Sequence, residues 1–221
     1  MGRCWYPYYS IYVPLFAAIT EKEKFEDKNN FPCRQIRLLK RSDSGYESRC
    51  YISDTMKTLV LVRHAKSSWK YPELTDFERP LKKRGLKDAS MMGSVLNEIS
   101  IMPDCIVSSP AARAITTARL VAESMGFAEG RITKEQGIYL ETAARLLREI
   151  NRISDECHTV LLVGHNPGLT DLANALVPDA AIDNIPTCGA VGITFETDAW
   201  SEIKAGTGKK IFFEIPRDHR K

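Results

Sequence analysis

Leu59-Val-Leu-Val-Arg-His-Ala-Lys-Ser-Ser-Trp69 is an apolar, β-rich run that breaks off on an Arg-His pair. A run this short and this apolar has the form of a strand buried on both faces. Where such a strand ends, Arg63 and His64 stand at its C-terminal edge, and in open α/β sheets that edge is where ligands bind. Arg-His-Ala alone occurs in many chains by chance. Its weight comes from three pieces downstream: Arg79-Pro-Leu-x-x-x-Gly85, Ser108-Ser-Pro-x-x-Arg113 and Gly164-His-Asn-Pro-Gly168.

Outward from that strand the pattern is regular. Gly85–Ile101 carries apolar residues at helical spacing. Asp104–Ser108 reads as a second strand, followed by Ser109-Pro110 as N-cap and first residue of a helix that runs to about Met125 and stops before Gly126. Thr142–Cys157 is amphipathic and predicts a helix. Thr159–Val163 predicts another buried strand, Gly168–Leu176 a short helix, and Ala190–Glu196 and Lys210–Ile215 two closing strands. Strands that alternate with helices predict an α/β sheet with helices on both faces. Gly206-Thr-Gly-Lys-Lys lacks the spacing of a phosphate loop and reads as a turn.

The bulk properties set limits. The 221 residues suit one domain with an extension. Their 43% hydrophobic content allows a sizeable core. Net charge is +3, but residues 56–221 hold 22 Lys/Arg against 21 Asp/Glu. Nothing in that balance favours nucleic acid or an anionic membrane, so any affinity for phosphate must be local. None of the six cysteines forms a C-x-x-C pair, and Cys105 sits in a strand-like run as a small core residue. A reduced, cytoplasmic setting is the simpler assumption.

Residues 1–55 differ from the rest. The apolar stretch from Trp5 to Ile19 is broken by Pro7 and Pro14, and four acidic residues follow it. That fits neither a secretory signal nor a transit peptide. We expect an extension outside the fold, with residues 56–221 as the domain and Met56 as an alternative initiator.

Three segments share one arrangement, a buried strand followed by a polar or basic residue where the chain leaves the sheet. Adjacent strand ends would gather Arg63, His64, Arg113 and His165 into one pocket, with a helix N-terminus beside them. Such a pocket suits a tetrahedral dianion. A neutral imidazole can attack phosphorus in line, two guanidiniums can hold the equatorial oxygens, and the cations should keep the imidazole unprotonated. This positive charge makes metal and cofactor unnecessary to the scheme.

Arg63-His64-Ala-Lys, Arg79-Pro-Leu, Ser109-Pro-x-x-Arg113 and Gly164-His165-Asn-Pro together resemble the histidine phosphatase superfamily over about residues 57–215. The wording Arg-His-Ala-Lys-Ser-Ser-Trp and Asp76-Phe-x-Arg-Pro-Leu is similar to its SixA-type phosphohistidine phosphatases. The resemblance implies a three-layer α/β/α fold with a mostly parallel central sheet, phosphoglycerate mutase-like and compact without a large inserted subdomain. It implies His64 as nucleophile, with Arg63, Arg113 and His165 completing the phosphate pocket. The substrate would be a phosphohistidine-bearing protein or a small phosphorylated molecule. A hydrolase of phosphate esters or anhydrides, and a non-catalytic phosphohistidine-binding module, remain as alternatives. Only 52 positions separate Arg113 from His165, which leaves little room for the substrate-covering insertion of a mutase.

Many members of that superfamily use a carboxyl group as general acid, and the candidates here are Glu141, Asp76 and Glu78. If the leaving group is an imidazole, this role matters less. Lys82, Lys83, Arg84 and Lys87 form a basic cluster that reads as a solvated helix face rather than a docking surface for an acidic partner. Trp69 can be read as pocket wall or as core.

Overall fold

Leu59 and Leu61 pack to one side of their strand, Val60 and Val62 to the other, and all four are fully buried. A strand buried on both faces needs a layer of helices on each side, and that is the architecture found. The computed structural model describes residues 36–37, 51–52 and 56–220. The strand is β3 (Lys57–Arg63). β4 (Cys105–Ser108), β5 (Ile132–Lys134), β6 (Thr159–Gly164), β7 (Ala190–Phe195) and β8 (Gly208–Glu214) complete a six-stranded sheet in the order β5-β4-β6-β3-β7-β8. The first four in that order run parallel, β7 pairs antiparallel with β3, and β8 pairs antiparallel with β7. A separate two-residue pair, β1 (Ile36–Arg37) with β2 (Tyr51–Ile52), is also antiparallel. Otherwise the expected extension over residues 1–55 lies outside the described residues.

Among the described residues four α-helices cover the sheet. α1 (Lys83–Glu98) and α2 (Ala112–Ser124) lay Met92, Leu96, Ala118 and Val121 on the Val60 and Val62 face. α3 (Ala143–Ile150) and α4 (Gly168–Leu176) lay Leu146, Ile150, Leu172 and Leu176 on the Leu59 and Leu61 face. The chain winds outward from β3 through α1 and α2 to β5, then returns through α3 to β6 beside β3. Their parallel register pairs Arg63 with Gly164. His64 and His165 therefore leave the sheet side by side, at the edge where a doubly wound sheet opens a crevice.

Several expectations needed revision. α2 starts at Ala112 with Ala111 as its cap, so Ser109-Pro110 does not open it. α3 ends at Ile150, and Ile153 reaches the core from a turn rather than from the same helix. β5 has no apolar run long enough to announce it. Cys105 and Cys157 form a disulfide, where reduced thiols were assumed. The pairing follows from the sheet: Cys105 lies in register with Val160, and the turn before β6 brings Cys157 to a Cα–Cα distance of 5.9 Å. Among the described residues no helix is long and apolar enough to cross a membrane.

One glycine fixes the approach of α1 to the active edge. A Cβ on Gly85 would collide with the Lys66 carbonyl oxygen, which is backbone and can yield only by moving the chain two residues from His64. We expect Gly85→Ala to cost about 1–3 kcal/mol, read as a lower urea midpoint. An unchanged midpoint would show that the ribbon after His64 is free to shift.

Candidate active site

Main-chain hydrogen bonds pin the end of β3. His64 N donates to Gly164 O at 3.0 Å and Arg63 N to Gly189 O at 3.1 Å, while Cys188 N donates to Arg63 O at 3.0 Å. Ala65 N then donates to Thr117 Oγ1 at 2.9 Å. His64 Nδ1 lies 2.9 Å from Ala65 O. A carbonyl only accepts, so Nδ1 carries the proton and Nε2 is left with its lone pair. That nitrogen faces Arg113 Nε at 3.3 Å.

Arg113, in the first turn of α2 and almost fully buried, joins the cluster together. Besides His64 it reaches His165 Nδ1 at 3.3 Å and Asp76 Oδ2 at 2.8 Å through the same NH2, and its NH1 donates to the Asp76 main-chain oxygen. The two imidazoles are 5.1 Å apart between centroids. His165 Nε2 meets Ser109 Oγ at 2.8 Å. Arg63 is held from the other side, with NH1 donating to Ile185 O at 2.8 Å and to Asn184 Oδ1 at 3.3 Å. Asn166 donates to the same two oxygens. Arg63 Nε is buried with no hydrogen-bond partner among the described residues.

The structure thus brings His64, His165, Arg63 and Arg113 to one edge of the sheet. The helix N-terminus contributes less than expected, because the Ala112 N–H is taken by Phe77 O at 2.9 Å. Burial is the main cause that pushes His64 down to about 4, with Arg113, Arg63 and Arg79 adding to it and the Ala65 bond opposing. Burial, then His64 and Arg113, push His165 down to about 3. Both rings are neutral at pH 7. The cations were expected to set this state, yet they rank below desolvation.

Asp76 has a different role from the one proposed for it. Burial raises its carboxyl, but hydrogen bonds from Arg79 and Tyr139 and the charge of Arg113 outweigh that and bring it to about 2. Arg79 donates to Oδ1 from Nε and NH2 at 3.1 and 2.7 Å, and Tyr139 donates to Oδ2 at 2.9 Å. A carboxylate so held has no proton to give, and it orients Arg113 instead. Glu78 sits on the surface and accepts from Thr75, which lowers its carboxyl. Glu141 meets α4 through its main-chain oxygen at Gly168, and its carboxylate takes no part in the hydrogen bonds of the cluster. Neither Asp76 nor Glu78 is held as a proton donor, and Glu141 makes no hydrogen bond to the cluster among the described residues. Among the described residues no group of His, Cys, Asp and Glu could hold a metal ion.

Sequence reasoning missed three supports. Ser109 fixes His165, Tyr139 sets its edge against the His165 ring at 5.4 Å, and Arg79 braces Asp76 while its guanidinium lies 3.5 Å from the Trp69 ring centroid. Trp69 is not core, since 74% of it is exposed. The Asp76-x-x-Arg79 spacing was visible, but only the fold shows that both residues converge on Arg113.

The neutral histidines predict the acid limb of activity. If neutral His64 is the reactive form, kcat/KM should hold to about pH 5 and fall as pH drops through about 4, where Nε2 takes up a proton. An inflection near 6.5, the value of an unburied histidine, would contradict this. Far-UV circular dichroism over the same range separates protonation from unfolding.

Comparison with known proteins gives a consistent pattern. Residues 59–139 match the model of the histidine phosphatase superfamily (branch 1). An uncharacterised protein from Mycobacterium tuberculosis is 31% identical over 166 residues, 71% of this chain and 100% of its own length. An uncharacterised chloroplastic protein from Arabidopsis thaliana is 31% identical over 160 residues, 69% of this chain and 72% of its own. The crystal structure of a candidate SixA phosphohistidine phosphatase from Agrobacterium tumefaciens superposes with a TM-score of 0.61 at 26% identity, covering 72% of this chain and 98% of that one.

Proposed function

The chain belongs to the histidine phosphatase superfamily, and from that premise we propose that it is a phosphohistidine phosphatase working through a covalent phosphohistidine on His64. Membership by itself supports a phosphatase in the general sense; the nucleophile and the substrate are our inference. Nε2 of His64 attacks phosphorus in line, and the new N–P bond forms as the bond to the leaving nitrogen breaks. The electron pair stays on that nitrogen, which takes its proton from water. A second water then attacks the phosphohistidine, and inorganic phosphate leaves with Nε2 restored.

Arg113 and Arg63 hold the equatorial oxygens in this scheme. A phosphoryl group between the rings would take the two Arg113 N–H donors now directed at His64 and His165. The Ser109 hydroxyl can either accept from or donate to His165 Nε2, so Nδ1 can offer a lone pair to Arg113 or an N–H to a phosphoryl oxygen. The observation that carries the reading is the pinned His64 ring, with Nδ1 on Ala65 O and the unprotonated Nε2 accepting from Arg113 Nε.

We prefer phosphohistidine over a phosphate ester because no protonated carboxyl group hydrogen-bonds into the cluster among the described residues, and an imidazole leaves with the least help. The likeness to the Agrobacterium protein supports the same choice. The test is a panel: phosphoimidazole and a histidine-phosphorylated protein beside p-nitrophenyl phosphate and a sugar phosphate. We expect the phosphoramidates to exceed the esters in kcat/KM by about 100-fold, the lower end of what general acid catalysis supplies where it is needed. Equal or reversed preference would move the assignment to a small-ester phosphatase. Tight binding of the phosphorylated protein without phosphate release would make the site a binding module.

A further inference from the structure

We propose that the ribbon leaving His64, together with the start of α1, is a docking surface for an acidic polypeptide segment flanking the phosphohistidine. The inference rests on the phosphatase reading above and adds the chemistry of the partner. Residues 63–87 contain eight Lys/Arg and three Asp/Glu, whereas the rest of residues 56–221 contains 14 and 18. The near neutrality of the domain therefore hides a cationic segment set in an anionic remainder.

The fold gathers this segment beside His64. Lys82 N donates to Lys66 O at 2.8 Å, Ser67 bridges Leu81, Ser68 N donates to Pro80 O at 2.8 Å, and Trp69 lies over Arg79. Four successive residues after the nucleophile's neighbour Ala65 are thus zipped against the residues that lead into α1. Lys66 and Lys82 meet through their main chains, and Lys83 and Lys87 follow one helical turn apart. Lys66, Lys70, Lys82, Lys83 and Lys87 are exposed, and none of them is ion-paired among the described residues. Arg84 is tied only loosely to Asp88, at 3.6 Å.

Exposed apolar groups concentrate in the same segment. Of the seven large hydrophobic side chains exposed among the described residues, Trp69, Tyr71, Phe77 and Leu86 fall between positions 69 and 86. Cations interleaved with aromatic side chains are the composition of a protein-contact surface, in which the aromatic groups anchor and the charges steer. A long polyanion such as nucleic acid would run off the patch onto the anionic remainder. A short run of carboxylates, reaching a few residues to either side of the reacting imidazole, matches its extent. This sets aside the solvated-face reading of Lys82, Lys83, Arg84 and Lys87, because the sequence did not show that Lys66 and Lys70 join them.

Three phosphohistidine peptides, identical except for Glu, Ser or Lys flanks, test the surface, with phosphoimidazole as the flankless control. We expect kcat/KM for the Glu-flanked peptide to exceed that for the Lys-flanked one by at least about tenfold at low salt. The gap should lie mainly in KM and close as ionic strength rises. Lys82→Glu with Lys83→Glu should erase the preference and leave phosphoimidazole turnover unchanged. Fluorescence polarisation of the unphosphorylated peptides reads the surface independently of catalysis. Equal binding of Glu- and Lys-flanked peptides would overturn the docking surface, as would displacement of the Glu-flanked peptide by a short oligonucleotide at lower concentration. Failure to turn over phosphoimidazole, with the binding preference intact, would instead overturn the phosphatase reading.

Discussion

His64→Ala should abolish phosphate release, by about 10,000-fold or more, while leaving the fold and the affinity for phosphate largely in place. The magnitude follows from the role: a covalent nucleophile has no substitute in the pocket, and removing one in a comparable hydrolase costs several orders of magnitude. We do not expect His165 to stand in, because the Ser109 hydroxyl holds its Nε2 and, in this scheme, fixes the ring as a partner of the phosphoryl oxygens. The substitution leaves Arg113 its two bonds to Asp76, so the guanidinium stays where it is. Steady-state phosphate release and tungstate or phosphate binding, measured on the same protein, separate chemistry from binding. Release within tenfold of wild type would remove His64 from the mechanism.

Arg113→Ala should damage both activity and stability, which distinguishes it from His64→Ala. An arginine that stabilises a transferring phosphoryl group contributes about 1,000-fold or more to the rate. Its loss also leaves the Asp76 main-chain carbonyl unpaired and both histidines without their shared donor, while Arg79 and Tyr139 still hold the carboxylate. Breaking a fully buried ion pair costs about 3–5 kcal/mol, but the Asp76 side chain is 41% exposed, so water returns part of it. We expect a loss of about 1–3 kcal/mol, seen as a lower thermal midpoint. Arg113→Lys should keep part of the stability and little of the activity. An ammonium is a point charge and cannot serve His64, His165 and both oxygens of Asp76 at once. Asp76→Ala added to Arg113→Ala should cost less than the sum of the two single changes. Additive losses would mean that the pair is not coupled.

How much of this was legible beforehand depended on whether a feature was local. The strands at Leu59, Cys105, Thr159 and Ala190 announced themselves because a strand buried on both faces must be apolar throughout. β5 did not: it has three residues at the sheet edge, and Ile132 is only half-buried. His64, Arg63, Arg113 and His165 could be placed because each follows a strand, and strand ends converge at one edge of a parallel sheet. The state of Asp76 was not legible, because it depends on Arg79, Arg113 and Tyr139, whose convergence no spacing reveals. The disulfide was missed for the same reason, since Cys105 and Cys157 become neighbours only once β4 and β6 are known to be adjacent.

Rapid quenching would capture a covalent phosphohistidine on His64. The protein is mixed with excess phosphoimidazole, quenched in alkali within the first turnover, digested, and analysed by mass spectrometry. We expect a phosphate adduct on the peptide containing Arg63-His64-Ala65 that is stable in alkali and lost in acid, and that His64→Ala lacks. Rapid phosphate release without any such adduct, or an adduct on His165 in its place, would contradict it.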